Sequence, residues 1–158
     1  MIPEAPFLFS IAALSATMAG LAGLVAALRR GSEMRAVDLF RLQQIVEFCF
    51  ANIVIALSVV PLASLLGGSG PAVQVMAAVA VTYQVFSIVV LRRRQRQYHL
   101  AWSATWYVGA SVLNIMIFVA GVAALLTGGM AAFEVLLVLF LARPMFVFLL
   151  VLQSFERD

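Results

Sequence analysis

The sequence predicts an all-α membrane protein, a single transmembrane domain of five helices, and three observations carry that prediction. First, 65% of its 158 residues are hydrophobic and only 11% are charged, whereas soluble domains carry about 25% charged residues. Second, five apolar stretches each reach the ~20 residues that a helix needs to cross a hydrocarbon core roughly 30 Å thick. Third, all ten basic residues are arginine, and every one but Arg143 lies at 29–41, at 92–96 or at 157, at the edges of those stretches, between them or beyond them.

The predicted spans cover residues 6–28, 38–66, 71–91, 101–126 and 130–151. Span one is preceded by Glu4 and followed by Arg29 and Arg30, the reverse of a signal peptide's charge order, so it reads as a retained anchor. Its Ala13, Ala16, Gly20, Gly23 and Ala27 form a small-residue face suited to tight packing. Span two is prefaced by Gly31-Ser32-Glu33, a helix break and cap, so its helix begins near Glu33 and outruns the membrane's thickness. The linker Gly67-Gly68-Ser69-Gly70 turns the chain into span three, and Thr127-Gly128-Gly129 turns span four into span five. Tyr98, Trp102, Trp106 and Tyr107 gather at the start of span four as an interfacial aromatic belt.

Charge sets the expected threading. The linkers holding Arg29, Arg30, Arg35 and Arg41, and then Arg92, Arg93, Arg94 and Arg96, face the cytoplasm, because short inner loops collect arginine. The glycine linkers carry no charge and face outward, giving an N-out, C-in chain in a bacterial cytoplasmic (inner) membrane. The same arginines, Arg92, Arg93, Arg94 and Arg96, are placed to meet lipid headgroups. A weak parallel repeat is also legible: Asn52-Ile53-Val54-Ile55 in span two matches Asn114-Ile115-Met116-Ile117 in span four, each ahead of a Gly-Gly pair.

Several function classes are excluded or disfavoured. The chain has no lysine for a Schiff base, one cysteine (Cys49) and one histidine (His99), so a retinal site, a dithiol exchanger and a bis-histidine haem all lack their residues. No phosphate loop, zinc signature or paired nucleophile and base occurs. An enzyme is therefore the least supported class, and no cofactor or metal is expected. The basic balance is explained by threading, without nucleic acid.

Ionisable groups within a bilayer are functional candidates by default. Three are present: Glu47, Glu134 and Arg143. Glu134 and Arg143 are nine residues apart, on opposite faces of one helix, so they do not pair. Glu47 of span two lies at a depth similar to Arg143 of span five, and an ion pair between them is expected. With Asn52, Asn114 and Gln84 these residues form the candidate pathway or gate. Gln43, Gln44, Tyr107, Glu134 and Pro144 are secondary candidates, Pro144 because it frees a carbonyl one turn earlier, near Phe140. The resulting expectation is a channel or transporter for an ion or small solute, working as a homo-oligomer in the lipid bilayer. The alternative is a non-catalytic accessory or assembly subunit of a larger membrane complex.

Overall fold

The computed structural model describes residues 4–28, 36–97 and 104–155. Five helices account for nearly all of them: α1 (Ala5–Leu28), α2 (Ala36–Leu65), α3 (Ser69–Gln97), α4 (Ala104–Thr127) and α5 (Met130–Phe155). Each contains a stretch long and apolar enough to cross a membrane, which marks the chain as an integral membrane protein. Arg29, Arg30, Arg35, the Ser32-Glu33 cap, Tyr98, His99 and Trp102 lie outside the described residues, as do the side chains of Arg96 and Trp106.

Three helices, α2, α3 and α5, extend beyond the predicted spans at the arginine-rich end. Arg92, Arg93, Arg94 and Arg96 belong to the last turns of α3 rather than to a loop, and Arg41 lies well inside α2. Arginine is a good helix former, and at a membrane boundary its side chain reaches water without the backbone having to unwind. Arg41 Nη1 donates to Asp38 Oδ1 at 3.1 Å, one turn back along α2.

The opposite end is closed by two tight turns. Gly67 adopts φ 72°, and the Gly68 amide donates to the Ala63 carbonyl at 3.0 Å, a six-to-one cap that satisfies the end of α2. Gly128 adopts φ 62°, and its own amide donates to the Ala124 carbonyl at 2.9 Å, the simpler five-to-one form. The two turns touch, since a Cβ on Gly128 would stand 3.3 Å from the Gly70 carbonyl oxygen.

Among the described residues α5 packs against all four other helices, whereas α1 meets only α2 and α5, and α4 only α3 and α5. That makes α5 the axis of the bundle. The main core gathers Phe133, Leu136, Leu137 and Phe140 of α5 against Ala72, Ala77 and Ala80 of α3, Val59 of α2 and Ile117 of α4. Alanines on α3 let the helices approach closely, the usual basis of association where lipid removes the hydrophobic drive. A second cluster, Ala22, Leu42, Ile45, Cys49, Val147 and Val151, joins α1, α2 and α5 nearer the arginine-rich end.

Two packing features differ from expectation. The face of α1 bearing Ala13, Ala16, Gly20, Gly23 and Ala27 is exposed, and nothing lies within 4 Å of a Cβ placed on Gly20 or Gly23. The helix is instead seated through Leu8, Ile11, Ala12, Ser15 and Ala22, the face that combines two large apolar side chains with the Ser15 hydroxyl bonded to Asn52 of α2. The glycines that permit close approach are on α4: a Cβ on Gly109 would come within 2.4 Å of the Phe146 ring, and one on Gly121 within 2.6 Å of a Val81 methyl.

Candidate functional site

α5 carries Arg143 near its middle, and the side chain is buried at 3% exposure. Its Nη1 donates to Gln84 Oε1 at 3.0 Å, and Gln84 Nε2 donates onward to Asn114 Oδ1 at 2.7 Å. One chain of side-chain hydrogen bonds thus ties α5, α3 and α4 together. From α2, the Phe48 ring lies under the guanidinium, with Arg143 Cζ 3.9 Å from its centroid. Tyr83 and Phe140 complete an aromatic wall, each ring within 5.6 to 6.3 Å of Phe48 or of the other.

The chemistry of this site follows from its partners, all of which are neutral. A guanidinium out of water is stabilised by an amide oxygen and by a ring face, but neither cancels its charge. The expected partner Glu47 is elsewhere, which corrects the expectation of a Glu47–Arg143 ion pair. Residues on a helix are set ~100° apart; because Phe48 points into the bundle, Glu47 faces outward and is exposed. There its Oε1 accepts from Gln43 Nε2 at 2.8 Å and from Arg94 Nη1 at 3.4 Å, while its backbone carbonyl accepts from the Tyr83 hydroxyl at 3.3 Å. Among the described residues, no carboxylate forms a salt bridge with Arg143.

Asn52 forms a separate node. Fully buried, it donates through Nδ2 to Ser15 Oγ at 3.1 Å and to the Leu137 carbonyl at 3.4 Å, joining α1, α2 and α5. The Ser15 hydroxyl in turn donates to the Ile11 carbonyl at 2.9 Å. Asn52 Oδ1 is buried and has no hydrogen-bond partner among the described residues; such groups are explained by strain, function or an ordered water.

The remaining candidates scatter. Gln44 is buried beside the arginine; Gln43 is exposed; Glu134 is half-buried in the first turns of α5; Tyr107 is exposed at the start of α4. Pro144 is buried within α5, and the helix continues through it. A cavity of about 10 Å³ lies against Arg143 and Pro144, walled by Gln44, Phe48 and Ala110, at the lower limit for a single water. Gln44 and Phe48 also line a groove of about 660 Å³ on the outer face of α2 and α3. The Phe48 ring therefore stands as the partition between the buried guanidinium and the lipid-facing surface. Sequence reasoning missed Phe48 and Tyr83, whose aromatic character is common in any span and carries no spacing signal.

No protein-family model matches the chain, and comparison with curated proteins and with solved structures returns no significant match.

Proposed function

We propose that this chain is a small membrane transport protein, an oligomeric channel or transporter subunit that handles a small anionic solute through Arg143, Gln84 and Asn114. The observation that carries this reading is a guanidinium buried mid-helix whose partners among the described residues are all neutral. Burying an uncompensated cation is costly wherever it occurs in a membrane protein, and such groups mark substrate or ion pathways. Its missing counter-charge defines the solute's sign, because the groups lining a narrow path set its selectivity. Five helices enclosing a cavity of about 10 Å³ at this site leave the path to be completed by movement of Phe48 or by a second copy.

The test is flux. Purified protein in liposomes should pass a small anion such as chloride, nitrate or formate faster than protein-free vesicles do, and should discriminate against potassium. A panel of anions and cations that all fail to move, with a larger membrane protein co-purifying, favours the accessory-subunit reading instead. That second reading draws on the outward-facing Gln43 and Glu47 and the outward small-residue face of α1, both of which suit contact with another protein in the membrane.

Threading is part of the same proposal. Eight arginines in the segments 29–41 and 92–96, Arg29, Arg30, Arg35, Arg41, Arg92, Arg93, Arg94 and Arg96, against none in the two glycine turns support a cytoplasmic position for those segments in a bacterial inner membrane. A reporter fused after Asp158 is expected to be active only as a cytoplasmic reporter, and activity outside would reverse every depth assignment. A two-helix repeat finds support in one parallel: Asn52 of α2 bonds back to Ser15 of α1, and Asn114 of α4 bonds back to Gln84 of α3.

A further inference from the structure

The outer seam of α2 and α3 holds a groove of about 660 Å³, within the size range of sites that bind small molecules. On α2 it runs from Phe40 to Ile55, fifteen residues or about 22 Å along the helix. One leaflet's hydrocarbon is about 15 Å deep, so the groove covers the depth that an acyl chain occupies from the interface inward.

Apolar side chains line its whole length, Phe40 and Leu91 at the arginine-rich end and Phe50, Val54 and Val79 in the deep part, while Gln44, Glu47, Ser87 and Arg94 lie at mid-groove or toward the arginine-rich end. Side chains lean toward the N-terminus of their own helix, and in this antiparallel pair that brings Arg94 and Glu47 together across the groove at 3.4 Å. Arg92 and Arg93 stand exposed on the same turn of α3. At the mouth one guanidinium, that of Arg94, faces the Glu47 carboxylate, while Arg92 and Arg93 lie outside the groove lining and add positive charge to the same turn. A phospholipid has the same gradient, with charge at the interface and an apolar chain below it, and the excess of arginine over carboxylate on this turn favours an anionic headgroup.

We propose that the α2–α3 groove is a binding site for an anionic phospholipid, one acyl chain lying along Phe50, Val54 and Phe86 and the phosphate held at Arg94. The proposal does not rest on the transport reading: Arg143 does not line the groove, although Gln44 and Phe48 border both it and the arginine's cavity.

The experiment uses the full chain, purified in detergent with equal phosphatidylglycerol and phosphatidylcholine of identical acyl chains, then stripped of bulk lipid and weighed by native mass spectrometry. Phosphatidylglycerol should be retained over phosphatidylcholine. Arg94→Gln should reduce that preference about fivefold, the effect of one interfacial arginine. Val54→Trp should empty the groove; Val54 is 58% exposed, so the ring occupies the groove without entering the core. Val119→Trp, at a position 61% exposed on α4, should retain lipid as the unaltered chain does. Equal retention of the two lipids, or undiminished retention in Val54→Trp, would overturn the proposal. So would a dimer that Val54→Trp disrupts while lipid retention is unchanged, which would put a second copy in the groove.

Discussion

Gln84→Leu is expected to destabilise the bundle by about 3 kcal/mol, because it removes the hydrogen-bonded acceptor of a buried guanidinium and leaves Asn114 without its donor. Hydrogen bonds to charged groups are worth roughly 1.5–3 kcal/mol, and an unsatisfied buried charge is dearer still. Arg143→Met behaves differently. It gives up the stacking on Phe48 and strands Gln84 Oε1, but it also abolishes the desolvation of a charge, so the net change should be within about 1 kcal/mol of zero. In the double variant the guanidinium and the Gln84 amide disappear together while Asn114 still lacks its donor, and a coupling of about 1–3 kcal/mol should return part of the stability lost in Gln84→Leu. Unfolding of the purified protein in mixed micelles measures all three. Strictly additive losses would mean that the contact between Gln84 and Arg143 contributes nothing to the folded state.

Gly121→Ala is expected to cost about 2–3 kcal/mol, the upper part of the range for overpacking. The new methyl would stand 2.6 Å from a Val81 methyl, with Leu136 close behind. Val81 is β-branched and has little rotameric freedom in a helix, so α3 and α4 must separate. That separation would also lengthen the Gln84 to Asn114 hydrogen bond between the same two helices. Gly20→Ala makes the contrast: nothing lies within 4 Å of the added carbon, and alanine favours the helix by roughly 0.5–1 kcal/mol. Equal thermal stability of the two variants, read by loss of the monodisperse peak after heating, would show that α3 and α4 are not in close contact at Gly121.

The fold was legible because it is dictated by composition and by depth. Apolar length gives the five helices, and both linkers rich in glycine became turns, with positive φ at Gly67 and Gly128. The position of each polar group along its helix was legible as well, since rise per residue is fixed. Rotation about each helix axis did not. The helices are apolar nearly all round, as membrane spans are, so the sequence carries little sign of which face meets protein and which meets lipid. Hence Glu47 and Arg143 were placed level but not recognised as facing different ways, and the small-residue face of α1 was assigned to packing although it is exposed. Gln84 and Asn114 were identified as polar residues in apolar spans; that they form one chain with Arg143 depends on α5 occupying the axis of the bundle. The extension of α3 through Arg92 to Arg96 was masked by the change from apolar to charged side chains, which marks the membrane boundary and not the helix end.

If Arg143 is held in the bundle for its charge, function and stability must part company at that residue. The most direct measurement is anion uptake into liposomes by Arg143→Met and Arg143→Lys, at matched amounts of folded protein. The expected result is that Arg143→Met remains folded and loses at least tenfold in anion flux, while Arg143→Lys, which keeps the charge without the planar fork, retains part of it. Anion flux by Arg143→Met at the rate of the unaltered chain would contradict the assignment of Arg143 as the solute-contacting charge.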